Sequence, residues 1–248
     1  MCTVVLLFRP GHAWPLCLAA SRDEMLARAW DPPGPFWPGI VAGRDRTAGG
    51  TWLGLNTAGV IAGVLNRPGS LGPAPGKRSR GELPLIALGE TSARRAGDAI
   101  TALNAGDFRS FNLVLADRED AIVVRGLGQG RPDAIPLPPG VHMITAHDPD
   151  DPASPRVARH LPRFQAASPP EADGWESWRA ILANRSGAAS EQINVTPRAG
   201  FGTVCSALIA LRTAGAPQFL FAAGPPDVAA FLPVPAPDNS MPLRRRCI

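Results

Sequence analysis

A cysteine stands at the second position of the chain, directly behind the initiator methionine, in MCTVVLLF. Removal of Met1, which is usual when the next side chain is small, gives Cys2 a free thiol and a free α-amino group on one carbon. An α-amino group has an ordinary pKa of about 7.7 to 8, so it can accept the thiol proton near neutral pH, and the thiolate is the reactive form of cysteine. Cys2 is therefore a candidate nucleophile that carries its own base.

The stretch after Cys2 predicts a β-hairpin that brings polar residues close to it. The apolar segments TVVLLF and LCLAA flank the turn-rich RPGHAWP, which is the pattern of two paired strands. Antiparallel partners keep a constant sum of residue numbers, so a pairing of Phe8 near Pro15 sets Cys2 opposite Ser21 or Arg22. We therefore expect the segment SRDE to lie beside the N-terminus.

Arg22 and Asp23 would then act on Cys2. A guanidinium next to a thiol favours the thiolate, so we expect Arg22 to lower the pKa of Cys2. For Asp23 two interpretations stay open: a hydrogen bond that orients the α-amine, and a surface ion pair with Arg22.

A second hairpin is predicted in GGTWLGLNTAGVIAGVLNRPG, with strands at Trp52–Leu55 and Val60–Leu65. The same register arithmetic sets Asn66 opposite the pair Gly49 and Gly50, and two glycines allow another backbone or a ligand to approach closely. A side-chain amide there is a candidate oxyanion donor, which is worth about 3 to 4 kcal/mol of barrier. An asparagine at a strand end is also a common turn residue. We predict that Gly49 and Gly50 contact substrate.

Composition limits the classes of protein. The chain has 248 residues, of which 45% are hydrophobic and 19% charged, and these values indicate one globular domain over residues 1–248. The formal charge of +4 comes mainly from scattered arginines, and Arg244–Arg246 form the one run. A short terminal run is typical of a solvated surface. We predict no nucleic-acid partner and leave the oligomeric state open.

The cysteines and histidines do not have the spacing of a disulfide framework or a zinc site, so we predict no metal and no cofactor. Cys17 and Cys205 lie in apolar strand patterns and are expected to be buried packing residues. No segment has the length and apolarity of a membrane span or the pattern of a signal peptide, so we expect no stable membrane insertion and a cytoplasmic location.

The order of the remaining elements predicts the fold class. Helical patterns occur in GELPLIALGE, ARRAGDAITALNAG, SPRVARHLPRF and GWESWRAILANR, and strand patterns in FNLVLADREDAIVVR, HMITAH, GTVCSALIAL and QFLFAAG. Strands and helices that occur in separate runs indicate an α+β protein with mainly antiparallel sheets. We predict a four-layer αββα sandwich.

Three further features are expected to border the site. The proline- and glycine-rich segments 31–39 and 68–76 predict loops that could gate a pocket, although loops of this composition are commonly surface connections. His147 closes the strand in HMITAH and is a candidate ligand-binding residue, although a lone histidine is more often structural.

These motifs, taken in order, resemble the NRDE family, also called the Transport and Golgi organization 2 family. The resemblance rests on the initial Met-Cys, on ASRDE, GGTWLGLN, LNRPG, SRGEL and FNLVLAD, and on a late FGTV, and it covers nearly the whole chain. Members of the family are similar to N-terminal-nucleophile hydrolases of the choloylglycine hydrolase and penicillin V acylase branch, which use an N-terminal cysteine on an αββα fold to cleave amide bonds. The resemblance therefore implies a sandwich of the N-terminal-nucleophile hydrolase type.

The resemblance also implies roles for four residues. Cys2 matches the nucleophile of the family, and Arg22 and Asp23 match the arginine and the aspartate of its NRDE motif. Asn66 matches the asparagine after the second hairpin, which contributes to the oxyanion hole in the amidase relatives.

Three positions depart from the pattern of the relatives. Ser21 replaces the first asparagine of NRDE, Ala146 or His147 stands where relatives carry another asparagine, and Val204 stands where amidases have a late arginine. An intact nucleophile in an altered pocket predicts a ligand other than a bile salt or a penicillin.

Two functions of different classes follow. The first is an N-terminal-cysteine hydrolase that acts on an amide or thioester of a small amphipathic acyl substrate. The second is a binding or trafficking protein without catalysis, which uses the same pocket for heme or an acyl-CoA-like ligand, as the resemblance implies.

Overall fold

Two antiparallel sheets, each covered on its outer face by two helices, form the fold in the computed structural model, which describes residues 2–171 and 174–238. The strands, in chain order, are β1 (Thr3–Phe8), β2 (Leu16–Met25), β3 (Trp30–Trp37), β4 (Ile40–Asp45), β5 (Leu53–Asn56), β6 (Ile61–Asn66), β7 (Phe111–Ala116), β8 (Ala121–Gly126), β9 (Asp133–Pro136), β10 (Gly140–Ile144), β11 (Phe201–Leu211), β12 (Gln218–Ala222) and β13 (Leu232–Pro233). The helices are α1 (Glu82–Ala87), α2 (Ala93–Thr101), α3 (Pro155–Ala166) and α4 (Glu176–Leu182).

The two sheets have different strand orders. In the first sheet the order is β10-β1-β2-β11-β12-β13, and in the second it is β3-β4-β5-β6-β7-β8-β9. Every pairing between these strands is antiparallel. The first sheet therefore contains the first and the last of the described strands, and β2 and β11 lie at its centre.

Side-chain alternation along β1 explains why four layers form. Val4, Leu6 and Phe8 pack in the core between the sheets, whereas Val5 and Leu7 pack beneath α3 and α4. Since successive residues of a strand point to opposite faces, a strand that is apolar on both faces needs a layer on each side. The predicted α+β sandwich with antiparallel sheets is confirmed.

The start of α3 and the packing of α4 are as their sequences predict. The hydroxyl of Ser154 accepts a hydrogen bond from the Val157 amide at the start of α3, where Pro155 occupies the first turn, an arrangement that favours a helix start. Trp175 and Trp178 are fully buried against the first sheet, so the tryptophans of GWESWRAIL are core residues.

The prediction of a loop over residues 31–39 is wrong. Most of this segment belongs to β3, the edge strand of the second sheet, which pairs with β4 through two register irregularities. Prolines are accepted on an edge strand because its outer N–H groups have no strand to bond to, and the irregularities accommodate the rest. The strands β4 and β9 were not predicted either.

The two predicted hairpins are confirmed. Phe8 pairs with Leu16 in the first, and β2 then continues through the SRDE segment to Met25. In the second, Leu53 pairs with Gly63. Both predictions hold because each hairpin is a local structure whose register is set by its own turn.

The longest helix among the described residues, α3, has 12 residues, and no helix in this part of the chain has the length and apolarity needed to cross a bilayer. The arginine run Arg244–Arg246 lies outside the described residues, as do Met1 and Cys247.

Replacing Phe164 with alanine is expected to lower the free energy of unfolding by about 3 to 5 kcal/mol, because the ring is buried beneath the first sheet and a cavity would remain. Its ring lies 5.1 Å from that of Trp178 in an edge-to-face contact. The measurement is chemical denaturation followed by circular dichroism. The matched control is Phe36→Ala on the edge strand, where the ring is 36% exposed and about 1 kcal/mol or less should be lost. Equal losses would contradict the assignment of Phe164 to the core.

Candidate active site

Cys2 lies beside Arg22 at the end of the first hairpin. The last observed pair of β1 and β2 is Thr3 with Ser21, so the next position along the register brings Cys2 next to Arg22, as predicted. The sulfur of Cys2 lies 4.0 Å from the carbonyl oxygen of Asp23. Two of the predicted site residues thus meet Cys2 through the register of one hairpin.

A narrow cavity between the two sheets begins at Cys2. The space open to the centres of water molecules is about 20 Å³, which is enough for one or two waters. Both sheets contribute walls, and most are apolar, among them Val4, Ala20, Leu53, Leu65, Ala207 and Phe221. The arrangement joins a thiol to an apolar recess.

Arg22 is the charged residue in the wall of this cavity. Its guanidinium carbon lies 4.2 Å from the centre of the Trp52 ring, and its Nη2 donates to Oδ2 of Asp45 at 2.9 Å. The side chain is only 5% exposed. Its Nη1 is buried and has no hydrogen-bond partner among the described residues, so this wall residue carries a donor that none of them satisfies.

Asp45, at the end of β4, holds Arg22 in place. Oδ2 also accepts from Nε of Arg28 at 2.6 Å, and Oδ1 accepts from the amides of Thr47 and Ala48. Burial raises the pKa of Asp45, but the bond from Arg28, the Ala48 amide and the charges of both arginines outweigh it and leave the pKa below its ordinary value. Asp45 is therefore a carboxylate at neutral pH.

Asp23 lies on the opposite face of the first sheet. Its Oδ2 accepts from Nη1 of Arg156 at 3.0 Å, and its Oδ1 accepts from the hydroxyl of Thr203 at 2.7 Å. The same Arg156 nitrogen also donates to the hydroxyl of Thr3. The interpretation of Asp23 as a surface partner of Arg22 is wrong, because neighbouring residues of a strand point to opposite faces.

Arg22 acts on the pKa of Cys2 in the expected direction, but it does not determine the net shift. Burial of the thiol is the largest influence and raises the pKa above its ordinary value, whereas the lowering by Arg22 is small. The positive charge of Arg22 is already compensated by Asp45. Burial disfavours the thiolate, so the pocket alone keeps Cys2 protonated.

The second hairpin carries Asn66, Gly49 and Gly50, and the structure relates them to the Cys2 cavity less directly than it does Arg22. Asn66 ends β6 opposite Phe111 and follows Leu65, a wall residue of the Cys2 cavity. Gly50 packs against the backbone of Gly81, where a Cβ on Gly50 would lie 2.5 Å from the Gly81 carbonyl carbon. At Gly50 the group that approaches closely is therefore the backbone of another segment.

Gly49 lies in a separate open cleft with Phe36 and Trp37, and has a positive φ of 77°. The roles of Asn66, Gly49 and Gly50 toward substrate stay predictions.

His147 lies near the N-terminal end of β1. The pairing of Val4 with Ile144 brings residue 146 opposite Cys2 by register, so His147 is the next residue. Its Nδ1 is 3.7 Å from Oδ2 of Asp151. Its role in ligand binding stays a prediction.

A fully buried asparagine, Asn112, connects the two sheets next to this segment. Its Nδ2 donates to the carbonyl oxygens of Thr145 and His147, and its Oδ1 accepts from Nη1 of Arg67. Arg67 also donates to Asp148 at 2.7 Å. Asn112 pairs with Leu65 across β6 and β7, so this network fixes the ends of β6 and β10 at the edge of the Cys2 cavity.

Several of these residues were missed by sequence reasoning. Trp52, Asn112 and Thr203 belong to the motifs GGTWLGLN, FNLVLAD and FGTV, so the motifs marked the positions without indicating contacts. Asp45 and Arg156 have no local signal, because the fold brings them in from β4 and α3.

Comparison with known proteins shows the family to which the chain belongs. A sequence model of the family described as Transport and Golgi organisation 2 matches residues 1–220. The chain belongs to this family. A bovine Transport and Golgi organization protein 2 homolog is 32% identical over 164 residues, which cover 58% of this chain and 56% of the homolog. The match thus spans little more than half the length of that relative.

Solved structures show the fold type. A Caenorhabditis elegans N-acylethanolamine-hydrolyzing acid amidase ortholog superposes with a TM-score of 0.59 and 11% identity, over 84% of this chain and 92% of that one. Penicillin V acylase from Agrobacterium tumefaciens superposes with a TM-score of 0.55 and 16% identity, over 89% and 82%. The predicted N-terminal-nucleophile hydrolase fold is confirmed, and identities this low establish the fold alone.

Replacing Asp23 with asparagine is expected to lower the free energy of unfolding by about 3 to 5 kcal/mol, because the buried guanidinium of Arg156 would lose a charged partner. Chemical denaturation at pH 7 measures the change. Asp120→Asn is the control, since Asp120 pairs with Arg94, which is 73% exposed, and less than about 1 kcal/mol should be lost. Similar losses in both variants would show that the Asp23 pair contributes no more than a surface pair.

In protein that retains Met1, alkylation of Cys2 by iodoacetamide is expected to keep accelerating above pH 8.5, the approximate pKa of an ordinary cysteine. The reason is that burial raises the pKa of Cys2, so the thiolate fraction still grows where an exposed thiol is mostly ionised. Peptide mapping after timed alkylation gives the rate at Cys2, and a free peptide of residues 1–8 is the control. A midpoint at or below that of the peptide would contradict the role assigned to burial.

Proposed function

We propose that this protein is an N-terminal-cysteine hydrolase that cleaves an amide or thioester of a small amphipathic acyl substrate. The observation that carries the proposal is the position of Cys2 at an apolar cavity whose wall contains the unpartnered Nη1 donor of Arg22. A nucleophile, an apolar recess and a free donor beside it are the parts that acyl transfer requires.

The fold supports this proposal. The two solved structures named above are an amidase that hydrolyses N-acylethanolamines and a penicillin V acylase. The first name describes hydrolysis of the bond between an acyl group and nitrogen. Likeness of fold alone does not fix a reaction, so the proposal depends on the residues around Cys2.

In the first half of the reaction, the α-amine that Met1 removal exposes takes the thiol proton. The Cys2 sulfur then attacks the acyl carbonyl carbon, and a C–S bond forms while the carbonyl oxygen gains negative charge. Nη1 of Arg22 donates to that oxygen, and Asn66 is the second proposed donor. The ammonium returns its proton to the leaving nitrogen or sulfur, whose bond to the acyl carbon breaks.

In the second half, water attacks the acyl carbon of the thioester. The α-amine takes a proton from the water and passes it to the Cys2 sulfur as the C–S bond breaks, and the product is a carboxylic acid. Thiol, amine and water complete the reaction without a cofactor. The proposal locates this reaction in the cytoplasm and requires no nucleic acid.

A second candidate function is binding without turnover, with heme or an acyl-CoA-like compound as the ligand. The raised pKa of Cys2 favours it, because a protonated thiol is a weak nucleophile. The two candidates differ in whether a covalent acyl group appears on Cys2.

The test is intact-mass analysis of the purified full chain before and after reaction with p-nitrophenyl butyrate. We expect Met1 to be absent and a butyryl group to appear on Cys2, with release of nitrophenol that falls by about 10³-fold in Cys2→Ala. Cys205→Ser is the matched control, because Cys205 is buried in the same cavity wall. Cys205 should not accept the acyl group, so this variant should still be acylated on Cys2.

A second control separates the thiol from the amine. A variant with one glycine inserted before Cys2 keeps the thiol but moves the amine, and it should lose most of the acyl transfer. Retention of Met1 in an active protein, or full activity of the insertion variant, would rule out the amine as the base. Absence of acylation together with saturable binding of hemin would favour the carrier.

A further inference from the structure

Arg80, in the motif SRGEL, has no role in the reaction described above. It directly precedes Gly81 and α1, and its Nη1 donates to the carbonyl oxygen and hydroxyl of Ser70 and to the carbonyl oxygen of Ser110, at 2.7 to 3.1 Å. All three acceptors are uncharged. The side chain is half-buried, so the position of the guanidinium is fixed by neutral groups.

The charge of Arg80 has no acidic partner at salt-bridge distance among the described residues. Burial and the charge of Arg109 lower its pKa to about 10, whereas Cys2 and Glu24 act in the opposite direction. Glu24 lies 3.6 Å from Arg22 and 3.7 Å from Arg28, so its carboxylate forms ion pairs with those two arginines. A half-buried cation without a carboxylate is unusual, because desolvation of a charge is normally offset by a partner.

Arg80 and Cys2 border the same region. The carbonyl oxygen of Ser110, which accepts from Arg80, also accepts from the amide of Arg67, the residue after Asn66. The carbonyl oxygen of Gly81 accepts from the amide of Thr51 at 3.0 Å. Thr51 precedes Trp52, the ring that covers Arg22 in the cavity wall. The segment that carries Arg80 is therefore tied to the wall of the Cys2 cavity.

The region around Cys2 thus contains two arginines whose binding capacity is not fully used by the protein. Arg22 contributes a buried Nη1 without a partner, and Arg80 contributes a charge that neutral acceptors hold in place. The walls of the Cys2 cavity are mostly apolar. This combination fits a ligand that is apolar at one end and negatively charged close to the reacting carbonyl.

We infer that Arg80 is a binding residue for an anionic group of the substrate, a carboxylate or a phosphate close to the scissile bond of the acyl compound. The inference rests on the proposed function for the identity of the scissile bond. It narrows the substrate from amphipathic acyl compounds in general to anionic ones.

The test compares two alkylating agents of similar size at Cys2, anionic iodoacetate and neutral iodoacetamide, with adducts assigned by peptide mapping. The rate ratio of the two agents is normalised to that of the peptide of residues 1–8. We expect the ratio to fall about five- to tenfold in Arg80→Gln and to be largely retained in Arg80→Lys, which keeps the charge. Arg78→Gln is the matched control, because Arg78 is exposed and already pairs with Glu82, and its ratio should equal that of the wild type.

Protection of the wild type needs no variant and separates the two anions. Inorganic phosphate and butyrate are each added during alkylation by iodoacetamide, with sodium chloride at equal ionic strength as the control. Stronger protection by phosphate assigns a phosphate-bearing substrate, and stronger protection by butyrate assigns a carboxylate.

The inference is overturned if Arg80→Gln and Arg78→Gln give the same ratio, or if neither anion protects Cys2 better than chloride. The protection result decides the matter should Arg80→Gln fail to fold. Alkylation requires no turnover, so a protein that shows anion preference but no acyl transfer would refute the proposed hydrolase while retaining the anion site.

Discussion

The register between β1 and β2 is the constraint on which the candidate site depends. Pairing of Thr3 with Ser21 turns Cys2 and Arg22 toward the space between the sheets and turns Asp23 toward the helices. A slip of one residue would exchange the two faces along the whole hairpin. The arrangement is held firmly, because the same strands bury apolar side chains on both faces and β2 also pairs with β11 over ten residues.

Two buried ion pairs on opposite faces of the first sheet follow from that register. Arg22 meets Asp45 from the second sheet, and Asp23 meets Arg156 from α3. Buried pairs of this kind contribute little net stability, because the desolvation of both charges offsets their attraction. Each pair can form only when one particular element has docked, so the pairs favour one assembly of layers over others. The same docking brings Trp52 over Arg22.

The sequence was sufficient to predict those features of the site that local structure determines. The hairpin register that joins Cys2 to Arg22 follows from one turn, and the buried roles of Cys17 and Cys205 follow from apolar strand patterns. The partners of the charged residues could not be predicted in this way, because Asp45 and Arg156 reach the site through contacts between layers. The edge strand β3 was missed for a related reason. Its prolines are not typical of a strand, and only its pairing with β4 shows that it is one.

The site also shows why a buried thiol needs help from its own chain end. Burial raises the pKa of Cys2, and Arg22 cannot reverse this effect while Asp45 compensates its charge. Arg80 is itself partly desolvated. A new ammonium on the Cys2 α-carbon would be the nearest positive charge to the sulfur, and attraction between charges grows as their separation falls. In the proposed mechanism, removal of Met1 therefore does more than supply a base, because it also shifts the thiol toward the thiolate in a pocket that otherwise keeps it neutral.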